Sequence, residues 1–123
     1  ACGLVIDTLL VVNNYRDYDQ DRAVGKKTLI VRMGRERAEQ LYGWLGNIAT
    51  YMMWGCLVLG DSSFVLMLVC FACFVPYALL HGATRVQMRR IGRGRELNKV
   101  LGMTARNMFV FGVTTAIVTL FIL

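Results

Sequence analysis

Charge is missing from most of this chain. Of its 123 residues 56% are hydrophobic, mean hydropathy is +0.49, and there is one proline. Leu41 to Leu59 holds no charged residue, and Phe64 to Thr84 holds none if His81 is neutral. A soluble domain this small has to clothe its surface in polar groups, so the composition excludes one. Each run, at about 1.5 Å per residue, is long enough to cross most of a ~30 Å hydrocarbon layer. Ala1 to Tyr15, interrupted only by Asp7, and Met108 to Leu123 are two shorter apolar blocks. Histidine is scarce as well. His81 stands alone, and no His or Cys lies at ligand spacing to complete a metal site around Cys70 and Cys73. The four cysteines, Cys2, Cys56, Cys70 and Cys73, read as small packing residues. No basic n-region or cleavage site precedes the first apolar run, so no signal peptide is evident. A chain that opens in mid-helix looks like the C-terminal part of something longer.

The bases that are present fall in two places. Seven of the fourteen Lys and Arg lie between Arg16 and Arg37 and seven between Arg85 and Arg106. The connection "GDSS", Gly60 to Ser63, has none. Lys and Arg are retained on the cytoplasmic side of short membrane loops, which puts both basic segments inside and both chain ends outside. The expected architecture is all-α: an integral membrane bundle of four transmembrane helices at about 1–22, 35–59, 62–85 and 97–123. Its cytoplasmic loops are expected at about 16–37 and 85–106. The net charge of +6 needs no nucleic-acid partner, because this topology already accounts for every base.

The densest charge is in "VVNNYRDYDQDRAVGKKTLIVRMG", Val11 to Gly34, at the end of the first apolar block. On one continuing helix at about 100° per residue, Asn13, Asp17 and Asp21 follow at i, i+4 and i+8, with Asn14 and Asp7 on the same side. Asp19 points to the other side, about 200° from Asp17. Carboxylates one turn apart repel each other, so bare stability does not explain the pair. A hard divalent cation does: Mg²⁺ takes one or two carboxylates, waters and the oxygens of a phosphorylated substrate. Gly25 then ends helical order, and Arg22, Lys26, Lys27 and Arg32 supply cations for phosphate oxygens. Metal carboxylates beside phosphate-binding bases, at a membrane helix, suit a lipid diphosphate. A solvated interfacial loop, with the acids paired locally to Arg16 and Arg22, is the alternative.

The same residues resemble a known motif. "NNYRDYDQDRAVGKKTLIVRMG" is similar to the second aspartate-rich motif of the UbiA superfamily of intramembrane prenyltransferases, in the form carried by its 1,4-dihydroxy-2-naphthoate polyprenyltransferases, N-N-x-R-D-x-x-x-D-x-x-x-G-K-x-T-L-x-V-R-x-G. Asn13, Asn14, Arg16, Asp17, Asp21, Gly25, Lys26, Thr28, Leu29, Val31, Arg32 and Gly34 fall on that pattern. "ELNKVLGMTARNMFVFG", Glu96 to Gly112, resembles the stretch before the family's last helix. The resemblance implies a nine-helix membrane fold, of which this chain would be the C-terminal part, helices six to nine. It implies transfer of a polyprenyl group from its diphosphate to an aromatic ring. With dihydroxynaphthoate as acceptor, it implies a prenylated dihydroxynaphthalene, the reduced form of demethylmenaquinone, with loss of carbon dioxide. It implies Mg²⁺ on Asp17 and Asp21, with the diphosphate met by Asn13, Asn14, Arg22, Lys26 and Lys27. The family's other motif, N-D-x-x-D, does not occur here, so half of the metal carboxylates would come from N-terminal helices outside this sequence, and the chain alone is not expected to catalyse. The implied setting is the bacterial cytoplasmic membrane, with the active-site loops facing the cytoplasm. Other acceptors, 4-hydroxybenzoate, haem or a chlorin, stay open within the family. A transporter or ion-binding module using Asp7, Asp17 and Asp21 is the rival outside it, although a transporter wants its acids near the midplane.

Several residues invite both a packing and a functional reading. Asp7, on the aspartate side of the first helix, is either cavity-lining or a neutral acid near the outer interface. His81 and Arg85, one turn apart, read as interhelical bonding or snorkelling groups, with substrate contact as the sharper alternative. Arg89, Arg90, Arg93 and Arg95 mark topology, Pro76 is expected to kink the third helix, and Trp44 and Trp54 read as interface or packing residues. Gly43, Gly46 and Gly55 are expected to allow close helix approach. The charge pattern makes a direct prediction: cysteines substituted for Lys27 and for Ser62 should label from opposite faces of the membrane in intact cells. Labelling of both from one side refutes the topology.

Overall fold

The computed structural model describes residues 1–60 and 63–122. It is all-helical over those residues: α1 (Cys2–Arg16), α2 (Tyr18–Ala23), α3 (Leu29–Met33), α4 (Arg35–Gly60), α5 (Phe64–Ile91) and α6 (Leu97–Ile122). Asp61 and Ser62, in the expected uncharged connection, lie outside the described residues. The four longer helices form a ring in which α1 packs on α4 and α6, and α5 on α4 and α6, with little contact across the α4–α6 diagonal. Contacts at one end of the ring fix the sense of each helix. Arg35, the first residue of α4, bonds the carbonyls of Tyr15 near the end of α1 and Gly92 at the end of α5. Arg16, the last residue of α1, reaches Asn98 in the first turn of α6. Both basic segments therefore meet at one end of the bundle, and neighbouring helices in the ring are antiparallel.

The core follows the periodicity of the apolar runs. Val11, Val12, Tyr15, Ile30, Ala38, Tyr42, Met88, Leu97 and Val100 pack at the charged end. Val5, Ala49, Cys70, Phe74, Tyr77, Phe111 and Val118 pack toward the other. The outward faces stay apolar: Ile48, Met52, Leu68, Phe71, Leu79, Phe109 and Leu120 are all exposed. So broad an apolar exterior suits hydrocarbon rather than water. Two helices, α5 and the Leu97–Phe121 part of α6, are long and apolar enough to cross a membrane. The 15 residues of α1 reach only ~22 Å, short of the ~30 Å hydrocarbon layer. In α4 the first turns carry Arg35, Glu36, Arg37 and Glu39, which confines its apolar part to the stretch that follows.

Three expectations change. The single helix over 1–22 is divided at Asp17, whose backbone at φ −86°, ψ 3° leaves the α region and serves as both the end of α1 and the start of α2. There a side-chain donor, Arg35 Nη1, takes up the Tyr15 carbonyl in the last turn of α1, and an inserted donor of that kind interrupts a helical ladder. The third long helix runs to Ile91 instead of ending near residue 85. Its last turns hold Arg85 and Arg89, both paired with the buried Glu39 of α4 at 2.9 and 2.8 Å, so two of the bases expected in the loop are held on the helix and share one carboxylate. The expected loop over 85–106 shrinks to the turn at 92–96, begun by Gly92 at φ 68°. Pro76 lies inside α5, which stays helical through it.

The glycine expectation divides. A Cβ on Gly46 would run into the imidazole of His81, so Gly46 sets the α4–α5 approach; one on Gly43 would come within 2.9 Å of the Arg85 guanidinium, the movable end of a flexible side chain. Gly55 faces open space and sets no approach in this chain. His81 uses that closeness. Its Nε2 lies 3.0 Å from the Tyr42 carbonyl, and its ring stacks on Tyr42 at 4.5 Å and Tyr77 at 5.6 Å. Asn107 of α6 donates to the Thr84 hydroxyl at 2.8 Å, and the Tyr42 and Thr104 hydroxyls pair at 3.1 Å, so three helices share one polar layer. The packing predicts opposite signs for two similar substitutions. Gly46→Ala should destabilise the bundle by about 1–3 kcal/mol through overpacking. Gly55→Ala should be neutral or stabilising by up to about 1 kcal/mol, since only helix propensity changes. Reversible unfolding in detergent micelles measures both, and equal effects would contradict the close approach.

Candidate functional site

Backbone bonding keeps Asn13, Asp17 and Asp21 in one column despite the division of the helix. The Asp17 N–H donates to the Asn13 carbonyl at 3.1 Å, and the Asp21 N–H donates to the Asp17 carbonyl at 2.8 Å. The i, i+4, i+8 relation expected from sequence thus survives across two helices. Asp19, between them, is exposed and pairs outward with Arg35 at 2.9 Å. Asp21 is turned inward and is 7% exposed.

Past α2 the chain folds back in a Schellman turn. Lys26 N–H donates to the Asp21 carbonyl at 2.8 Å and Gly25 N–H to the Arg22 carbonyl at 3.2 Å, with Gly25 at φ 75°. Only a residue without a Cβ adopts that left-handed conformation cheaply, which explains a glycine at this point. The turn lays Lys26 over the acid: its Nζ sits 3.3 Å from Asp21 Oδ1. Thr28 then caps α3, its hydroxyl accepting from the Val31 N–H at 3.2 Å. Arg22 and Lys27, expected beside Lys26, are exposed and make no ion pair among the described residues. Asn14 is half-buried on α1, and Asp7 is exposed nearer the start of the same helix.

Asp17 is already engaged. Arg16 Nε and Nη2 bind its two oxygens at 2.7 and 2.9 Å in a bidentate fork, and Arg16 Nη1 also reaches Asn98 Oδ1 at 3.1 Å. These groups, with Gln20, Gly94 and Arg95, line a polar cavity of about 290 Å³ between the end of α1 and the turn before α6. Asn13 lines an apolar groove of about 320 Å³ with Ile6, Leu9, Leu10 and Leu101. The polar cavity and the apolar groove are thus lined by α1 residues one turn apart, Asp17 and Asn13. Nothing in the sequence singles out Gln20 or Arg35, and Asn98 is marked there only as part of the Glu96 to Gly112 stretch, since polar residues near a turn carry no address until the turn before α6 folds against α1.

The donor set can be tested against Mg²⁺. Asp21 Oδ2 is buried without a hydrogen-bond partner, an available hard oxygen of the kind Mg²⁺ takes. Asp17 would contribute on release from Arg16. Among the described residues no three acidic, histidine or cysteine side chains converge, so this chain offers two carboxylates at most. One or two carboxylates with waters and phosphate oxygens suffice for Mg²⁺, and the residues fit.

These helices, apolar outside and with acids and bases gathered at one end, define a membrane-type helical bundle. The chain belongs to the UbiA prenyltransferase family, a family of membrane proteins whose profile matches residues 1–99. It is similar to the 1,4-dihydroxy-2-naphthoate octaprenyltransferase of Escherichia coli (strain K12), 35% identical over 79 residues, covering 64% of this chain and 20% of that protein. It is also similar to the protein of the same name from Mycobacterium tuberculosis (strain ATCC 25618 / H37Rv), 36% identical over 118 residues, covering 94% of this chain and 37% of that protein. The chain thus spans well under half the length of these relatives. No solved structure matches it significantly.

The Arg16 fork holds the Asp17 carboxyl below its ordinary range; burial works against that and the charge of Lys26 adds to it. A depressed folded-state value contributes stability above the unfolded value of about 3.9 that is lost as pH falls through the lower folded one. A ¹³C carboxyl titration should place the Asp17 midpoint below about 3.9, and Arg16→Gln should move it upward. An unchanged midpoint in Arg16→Gln would mean that the fork does not hold Asp17 in solution.

Proposed function

We propose that this chain supplies the second aspartate motif of a Mg²⁺-dependent prenyltransferase that transfers a polyprenyl group from its diphosphate to 1,4-dihydroxy-2-naphthoate, a step of menaquinone biosynthesis. The observation that carries the proposal is the buried Asp21 carboxylate, with one oxygen under Lys26 and the other without a partner, one helical turn on from the Asp17 that lines the polar cavity. Family membership and the names of both relatives, 1,4-dihydroxy-2-naphthoate octaprenyltransferases, support the reaction and the acceptor. In this reading α1, α4, α5 and α6 all span the bacterial cytoplasmic membrane, with the charged end on the cytoplasmic face. Helices contributed by the rest of the enzyme complete the site with the first aspartate motif.

Each residue has a task set by its chemistry. Asp21 and Asp17 hold the metal, which when bound neutralises charge building on the departing diphosphate. Arg22, in the last turn of α2, and Lys26 and Lys27, on the turn after it, close on the phosphate oxygens as a fork and point charges. Asn13 and Asn14 orient the diphosphate through their amides. The groove of Ile6, Leu9, Leu10 and Leu101 takes the first isoprene units, excluding water from the carbon that becomes cationic. The C–O bond to diphosphate breaks, a bond to the ring carbon forms, and the ring carboxyl leaves as carbon dioxide.

In the complete enzyme, Asp17→Asn and Asp21→Asn should each lower the chemical step by roughly 10²-fold or more, the scale for loss of one preorganised electrostatic group. Asp19→Asn should cost far less, since Asp19 faces outward and an amide still accepts from Arg35. Single-turnover kinetics with a polyprenyl diphosphate separate these cases. Three equally mild effects would reduce the acids to a charged interfacial loop.

A further inference from the structure

Arg35 does more than its place in a basic segment requires. Its side chain is 15% exposed, and it joins four helices: Nη1 donates to the Tyr15 carbonyl of α1 at 3.2 Å and to the Gly92 carbonyl after α5 at 2.6 Å, and Nη2 donates to Asp19 of α2 at 2.9 Å. Its guanidinium carbon lies 4.9 Å from the Tyr15 ring centroid and 4.7 Å from that of Tyr18, on either side of the helix division. The two carbonyls belong to helix C-terminal ends, where a cation is favoured by the macrodipole and by the lack of intrahelical partners. None of the bonds goes to Asp17 or Asp21. The bonds to Tyr15 and Asp19 fix the segments that carry those two acids, and the bond to Gly92 anchors the guanidinium on the end of α5.

We propose that Arg35 is the positioning residue of the aspartate motif: it ends α1 at Arg16, clamps α2 through Asp19 and Tyr18, and so aims Asp21 inward. This rests on the metal-site reading of Asp17 and Asp21. The planar fork is essential to it, because two donors of one Nη group and one of the other point in different directions while the face stacks on tyrosine. A lysine keeps the charge but cannot occupy all of those positions. The guanidinium does its work by geometry.

The test compares wild type, Arg35→Lys and Asp19→Asn in the complete protein in lipid nanodiscs, by two measurements. The first, amide hydrogen exchange by mass spectrometry without ligand, should show residues 18–23 exchanging roughly tenfold faster in Arg35→Lys, the scale for lost charged hydrogen bonds. Unchanged α5 and α6 would confirm that the variant is folded. The second follows Mn²⁺ with inorganic diphosphate by electron paramagnetic resonance and should show about tenfold weaker Mn²⁺ binding in Arg35→Lys, as for loss of a residue that orients a metal ligand. Asp19→Asn, which keeps an acceptor for Nη2 and loses only the charge, should shift both in the same direction as Arg35→Lys and by less. Wild-type exchange over residues 18–23 in Arg35→Lys overturns the clamp. Faster exchange with wild-type Mn²⁺ binding overturns the positioning role and leaves Arg35 a structural tie. If wild type itself binds no Mn²⁺ with diphosphate, the metal-site reading fails, and the exchange measurement still decides whether Arg35 holds α2.

Discussion

Four helix ends converge at one end of this bundle, and what they present is uncompensated: terminal carbonyls of α1 and α5 together with the acids of α2 and α4. Arginines satisfy them. Arg35 gathers the Tyr15 and Gly92 carbonyls and Asp19, Arg85 and Arg89 close on Glu39, and Arg16 ties Asp17 to Asn98. Each is a charge-assisted contact between helices, and those made by the shielded groups, Glu39 and Arg35, are the costliest to leave unmade. The positions of α2 and its carboxylates depend on that network.

The rest of the bundle is arranged so that this end is rigid. Close approach of α4 and α5 at Gly46 brings His81 to the Tyr42 backbone, and the Tyr42–Thr104 and Thr84–Asn107 pairs draw α6 in. These polar bonds lie among apolar side chains, where they fix relative rotation and height more sharply than interchangeable methyl contacts. Below them the packing is aromatic and aliphatic, and the outer faces carry no such constraint.

The candidate site combines two surfaces with different chemistry. The polar cavity lined by Asp17 and the apolar groove lined by Asn13 draw on residues one turn apart on the same helix. Asp21 and Asp17 differ in their present partners: one keeps a bare buried oxygen, while the other has both oxygens taken by Arg16. A cation arriving at this site would meet one ready ligand and one that must exchange an arginine for it.

Much was legible in the residues themselves. Apolar runs reveal long helices because burial and helical period leave a one-dimensional trace, and the acid spacing at Asn13, Asp17 and Asp21 survives because local backbone bonds carry it. Gly25 could be read as a helix end for the same local reason, since its positive φ is a property of one residue. What only the tertiary structure decided was everything that depends on a distant partner. The division at Asp17, the extension of α5 through Arg85 and Arg89, and the separate fates of Gly46 and Gly55 all depend on groups far away in the chain. Arg35 and Arg37 look alike in sequence, but one is nearly buried between two tyrosines and the other is exposed, because the ends of α1 and α5 come to rest beside the first turn of α4.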